Sequence, residues 1–166
     1  RYERLIKEGK NEKQNKVYVS EKGLELVGNI TAIGTESAPF RNFTDAMQYA
    51  AYCGKDVTVN ILDTATTPAK YVTPAFDSTI TVTGGKFMPN NRFVMNGEFV
   101  FEHIEIAPTT TLVMAAKEHK LVMGEGITMS GSGIYLVGGY ENSTCSNSDI
   151  PATGFATDIT LRSGTY

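Results

Sequence analysis

Two Glu-His dipeptides are the first feature of this sequence with chemical potential: Glu102-His103 and Glu118-His119, with the histidines 16 positions apart. Imidazole changes charge near neutral pH and is a frequent transition-metal ligand. If that interval equals one structural repeat, the histidines would stack on neighbouring strands about 4.8 Å apart as a metal or proton-switch pair. The competing reading is a pair of ordinary polar neighbours. Carboxylates surround them, with Glu98, Glu102 and Glu105 clustered and Glu118 and Glu125 further along. Glycoside hydrolysis needs two carboxyl groups about 5 to 10 Å apart, but exposed acids on outward strand faces produce the same pattern. Tyr135, Tyr140 and Tyr166 recur late in the chain and could form a stacking face for sugars, although aromatic rings also fill corners and the chain has no Trp. The binding candidates are therefore Tyr135, Tyr140, Glu102, His103 and His119.

Other signals are weaker. Thr79, Thr81 and Thr83 alternate as on ice-binding strands, but the motif occurs once, and Thr is an ordinary outward strand residue. Gly124-Glu125-Gly126 and the Gly pairs at 84–85 and 138–139 read as turns, since no Gly-Lys-Ser/Thr follows to make a phosphate loop. Two cysteines so far apart do not suggest a zinc site. No catalytic residue, metal site or cofactor is assigned.

The elements that must hold these residues are short. The chain has 166 residues, enough for one domain, and a formal charge of −3 that suggests neither a nucleic-acid partner nor an acidic membrane surface. No run of 18 apolar residues occurs and no signal-peptide pattern opens the chain, so no membrane insertion is expected. Arg1 in place of an initiator Met suggests a processed chain or an excised domain. Residues 1–16 are a charged arm. Val17 to Ser20 alternate as a strand, and apolar patches follow at Leu24 to Val27 and Ile30 to Ile33.

Thr44 is the expected N-cap of a short helix, with Asp45 placed favourably for the helix dipole. Ala46, Met47, Ala50 and Cys53 form its apolar stripe, and Gly54 ends it in the left-handed region. Two turns are marginal alone, so the stripe should lie on the open end of the sheet that begins at Val57. Cys53 reads as a small buried hydrophobe, and a disulfide to Cys145 would need the polar loop ENSTCSNSD to reach the helix.

From Val57 the chain repeats. STITVTGGKF (78–87) and TDITLRSGTY (157–166) share an alternating strand, a glycine and a terminal aromatic. Between them lie GEFVFEHIEIAP, HKLVMGEGITMSG and SGIYLVGGY. Strand centres are expected near Val59, Ile80, Ile104, Val122, Leu136 and Leu161, at an uneven period of about 14 to 25 residues. The expected inward residues are Val57, Val59, Ile61, Ile80, Val82, Phe99, Phe101, Ile104, Ile106, Leu121, Met123, Ile127, Met129, Ile134, Leu136, Ile159 and Leu161. One repeat cannot bury its apolar face, so repeats must stack. An antiparallel sandwich is the competing fold, but it needs hairpin turns, and Asn96-Gly97 is the single such pair.

The segments VYVSEKG, GTESAPFRNFTDAMQYA and GKDVTVNI resemble the start of right-handed parallel β-helix domains of the pectate-lyase-like superfamily. The resemblance covers residues 17–71 and implies an all-β solenoid with a short N-terminal capping helix. The expected layout is a cap over 17–56 and coils over 57–166, with the C-terminal end uncapped. That superfamily includes lyases, hydrolases, adhesins and phage tailspikes, so fold alone does not carry activity. Its hydrolases carry paired Asp and a Gly-His-Gly element, and its lyases Asp-rich calcium sites with an Arg base. This chain has neither arrangement, and Arg92 and Arg162 stand isolated. The expectation is a non-catalytic, extracellular, bacterial-type stalk or adhesin-like surface module. Recognition of a glycan or host surface ligand would lie on loops 64–77, 88–92 and 141–156. The alternatives are a filament subunit that self-associates through open coil ends and a polysaccharide lyase or hydrolase.

Overall fold

β-Branched and aromatic residues in runs of two to five, broken by Gly, Asn and Thr, give short strands and tight corners. The computed structural model describes residues 15–24, 34–108, 112–116, 120–130, 135–138 and 158–165. It begins with β1 (Lys16–Leu24) and one helix, α1 (Phe43–Cys53). Then come β2 (Val57–Ile61), β3 (Thr64–Thr66), β4 (Tyr71–Val72), β5 (Thr79–Thr83), β6 (Lys86–Met88), β7 (Arg92–Met95), β8 (Glu98–Glu102) and β9 (Glu105–Ile106). The rest are β10 (Leu112–Ala116), β11 (Lys120–Met123), β12 (Ile127–Met129), β13 (Tyr135–Gly138), β14 (Asp158–Leu161) and β15 (Gly164–Thr165).

These strands form three parallel sheets. The order is β1-β2-β5-β8-β11-β14 in the first, β15-β12-β9-β6-β3 in the second and β13-β10-β7-β4 in the third. From β2 the chain visits the three sheets in turn and then returns beside the strand it left. In the first sheet Val57 pairs with Ile80, Ile80 with Phe99 and Phe99 with Leu121, offsets of 23, 19 and 22 residues. Every strand pairing among the described residues is parallel, which sets aside the antiparallel sandwich. Asn96-Gly97 links β7 to β8, which lie in different sheets, so it makes no hairpin.

Of the six strand centres expected from the sequence, Val59, Ile80, Val122 and Leu161 fall in strands of the first sheet, and two do not. Ile104 sits in the corner between β8 and β9, and Leu136 belongs to the third sheet. Each repeat holds three strands where the sequence suggests one, because strands of two to four residues are too short to display alternation. The two similar decapeptides do occupy equivalent places, β5–β6 and β14–β15.

Alternation in the first sheet is strict. Val57, Val59, Ile61, Ile80, Val82, Phe99, Phe101, Leu121 and Met123 are buried, with half-buried residues between them. Ile104, Ile106 and Ile127 are buried as expected, and Met129 packs at the margin of the same core. Ile134 and the side chains of Leu136, Ile159 and Leu161 lie outside the described residues. Phe87, Phe93, Met95, Ala65 and Met114 join the core from the second and third sheets. Phe93 stands edge-on to both Phe87 (5.3 Å between centroids) and Phe99 (6.0 Å), and Phe87 stacks on Phe101 at 5.9 Å. Such pairs add about 0.5 to 1.5 kcal/mol each beyond the area they bury.

The helix closes one end of this interior. Its N-cap is Asn42, in extended conformation, and not Thr44. The reason is Phe43, which must be in the first turn to bring its ring within 4.8 Å of Phe87 and 5.9 Å of Phe93. Asp45 is in the first turn as expected, and Gly54 stops the helix at φ 67°, ψ 19°, its N–H donating to the carbonyl of Ala50. The free edge of β2 is taken by β1 and not by the helix, which lies across the end of the core. The outer edge of β1 is engaged in turn: Tyr18 N–H donates to the carbonyl of Gly34, and Val19 bridges to Phe40. Cys53 is buried on the helix stripe, while Cys145 lies outside the described residues. Among the described residues no helix is long and apolar enough to cross a membrane.

Candidate functional site

The corners between the first and second sheets stack on one another and carry most of the polar chemistry. In chain order they are Leu62-Asp63, Gly84-Gly85, His103-Ile104, Gly124-Glu125-Gly126 and Arg162-Ser163. Backbone bonds join them layer to layer. Gly84 N–H donates to the carbonyl of His103 (3.1 Å), His103 N–H to that of Glu125 (2.8 Å) and Gly126 N–H to that of Ser163 (3.3 Å). These corners need the left-handed region, which Gly84, Gly85 and Gly126 adopt without a Cβ clash. His103 adopts it too, at φ 47°, one of three non-glycine residues at positive φ among those described. Gly126 is required for a second reason. A Cβ there would stand 2.5 Å from His103 Nδ1, so the ring is held against the bare glycine.

An open groove of about 320 Å³ lies beside these corners, lined by Val100, Glu102, His103, Val122, Gly124, Glu125 and Arg162. It runs along a row of outward positions in which Thr83 pairs with Glu102 and the register continues through Gly124 to Arg162. Gly124 is itself buried: a Cβ there would stand 2.9 Å from the Phe101 carbonyl oxygen and 3.2 Å from Glu102 Cβ. Val100 and Val122 are direct partners on β8 and β11 and form the apolar side. The structure therefore gathers two binding candidates, Glu102 and His103, and Glu125 from the carboxylates, with four residues the sequence did not single out for binding: Val100, Val122, Gly124 and Arg162. The only linear hint was the match of TDITLRSGTY to STITVTGGKF, which sets Arg162 in the position of Thr83.

One further candidate is placed elsewhere. Tyr135 opens β13 in the third sheet, pairing with Leu112, away from the groove. Tyr140 and His119 lie outside the described residues, as do Glu118 and Tyr166. The neighbour of His103 in the following layer is Glu125. Glu105 turns the corner onto the second sheet, where Ser130 donates to it and Lys86 Nζ stands 3.8 Å away. Thr81 is flanked by Thr58 and Val100, and Thr83 by Asn60 and Glu102, so the Thr-x-Thr motif is not repeated on adjacent strands.

Two further polar features frame the first sheet. At the first corner Asp63 accepts from the Ser20 hydroxyl and from the N–H groups of Glu21 and Thr64. Burial pushes its carboxyl up, but those three hydrogen bonds and the nearby Lys22 outweigh it and hold Asp63 below the usual carboxylate value. At the opposite margin a hollow of about 340 Å³ is lined by Asp56, Phe76, Asp77, Ser78, Thr79 and Glu98. There Asp56 accepts from Thr79 N–H (2.8 Å) and Glu98 from the Thr79 hydroxyl (3.2 Å). Among the described residues no three His, Cys, Asp or Glu side chains converge as metal ligands would.

Comparison with protein-family models, curated proteins and solved structures finds no match to this chain.

Proposed function

We propose that the chain is a right-handed parallel β-helix module acting without catalysis at a cell surface, as a stalk or adhesin-like domain that offers a lateral face to a ligand. The cyclic path through three parallel sheets supports the solenoid. Handedness follows from the general preference, since strand–crossover–parallel-strand connections are right-handed in about 98% of cases.

The observation that carries the non-catalytic reading is the setting of the carboxylates among the described residues around the first sheet. A glycosidic general acid is made by burying one carboxyl in apolar surroundings, so that it stays protonated near neutral pH. Here Glu125 is exposed and Glu102 is half-buried at the side of an open groove. Asp56, Asp63, Glu98 and Glu105 are each tied into hydrogen bonds with the protein's own donors. A lateral face is favoured over end-to-end stacking because the outer edge of β1 is already engaged by Gly34 and Phe40.

The test is incubation of the full chain with pectate, alginate and neutral polysaccharides, following unsaturated and reducing ends, beside affinity electrophoresis on the same polymers. Retardation by at least one polymer with no new chain ends is the expected result. Chain cleavage of any polymer would overturn the reading.

A further inference from the structure

Resting on the non-catalytic reading above, we propose that the groove between Glu102 and Arg162 is a subsite for one sugar ring that bears no carboxylate, held through a pair of adjacent hydroxyls. The groove has the right dimensions. Glu102 and Arg162 lie two strands apart in the same outward row, a separation of about 10 Å from strand spacing alone. The groove's volume of about 320 Å³ is at the lower end for small-molecule sites, suited to one ring and not to a chain of them.

Its chemistry is mixed in the way a sugar ring is mixed. Val100 and Val122, side by side on neighbouring strands, offer a flat apolar patch to the C–H face of a ring. The carboxylates of Glu102 and Glu125 each present two acceptor oxygens to hydroxyl donors. Arg162 brings a planar fork of N–H donors, and His103 a ring that can both donate and accept. Paired oxygens on adjacent carbons match such two-pronged partners better than a single hydroxyl does. His103 is fixed for this purpose by its layer-to-layer backbone bonds and by contact with Gly126.

Charge selects among sugars. Two carboxylates face one guanidinium in the groove, and Arg162 makes further contacts within the protein. A uronate would bring a third negative charge to this wall, whereas an uncharged ring meets no such repulsion.

The experiment is an amide-resolved NMR titration of the labelled full chain with methyl mannopyranoside, methyl galactopyranoside and galacturonate. At least one neutral glycoside should give saturable shifts confined to residues 100–103, 122–126 and 162–163, with galacturonate weaker by about ten-fold. Glu125→Gln, at an exposed position, should weaken the neutral sugar by about ten-fold. Val122→Lys should abolish the shifts while the amide spectrum elsewhere stays unchanged. No saturable shift with either neutral glycoside, equal binding of galacturonate, or unchanged affinity in Glu125→Gln would each overturn the subsite. Polymer cleavage would instead overturn the non-catalytic reading, so the two failures are distinguishable.

Discussion

The ring of Phe43, in the first turn of α1, lies 4.8 Å from the ring of Phe87, tilted by 41°. One residue belongs to the helix that closes the interior and the other to the second repeat of the second sheet, so this contact joins the end of the stack to its core. Phe43 and Phe87 are both buried, at 1% and 0% exposure. Phe43→Ala should therefore destabilise the chain by about 3 to 5 kcal/mol, and Phe43→Leu, which keeps part of the buried side chain, by less. Urea unfolding followed by circular dichroism measures both. A loss of under about 1 kcal/mol for the alanine would mean that the helix does not close the core.

Asp63 makes stability depend on pH in the acid range. Its folded-state carboxyl is held below the ordinary value of 3.8, so its contribution is fully present above that value and is lost as pH falls through the lower folded-state one. Unfolding of wild type and Asp63→Asn across pH 3 to 7 checks this. Wild type should be the more stable near neutrality, and the gap should close on acidification. A gap that does not change with pH would remove the carboxylate from the account.

Tyr71 is half-buried against Phe93, its ring 6.1 Å away, and its hydroxyl has no hydrogen-bond partner among the described residues. Burial, with a lesser effect of the Asp45 charge, pushes it up to about 12. A raised value contributes stability that is complete below the ordinary tyrosine value of 10 and lost as pH rises toward 12. Tyr71→Phe should be neutral or stabilising by about 1 kcal/mol near neutral pH, since it removes an unpaired buried hydroxyl. It should also flatten the loss of stability above pH 10. Destabilisation by the phenylalanine would reveal a hydrogen bond that the hydroxyl makes.

Gly126 combines a positive φ of 70° with the close approach of His103 Nδ1. Gly126→Ala should lose about 1 to 2 kcal/mol from backbone conformation alone, and more from the clash. His103→Gly relieves the strain of a non-glycine residue at φ 47° and removes the clashing ring. In the Gly126→Ala background it should therefore recover part of the loss. A double-mutant cycle by thermal unfolding measures the coupling, and strict additivity would mean that ring and glycine do not touch.

What the sequence by itself determined is local. Alternation at Val57, Val59 and Ile61 and again at Ile80 and Val82 marked strands with one buried face. Gly54 marked the end of the helix, and the apolar residues at helical spacing marked its buried stripe. These signals are legible because each is completed within one or two turns or one strand. Register, sheet membership and the groove were decided only in three dimensions. β4, β7 and β9 are too short to show a period, so Phe93 and Met95 gave no sign of facing the core. The N-cap moved from Thr44 to Asn42 because the place of Phe43 is set by Phe87, far along the chain. Glu102, Gly124 and Arg162 share one row only because the corners fix offsets of unequal length between layers. The length of chain between two strands carries no physical record of which residues will lie side by side, and parallel hydrogen bonding across the corners supplies that choice.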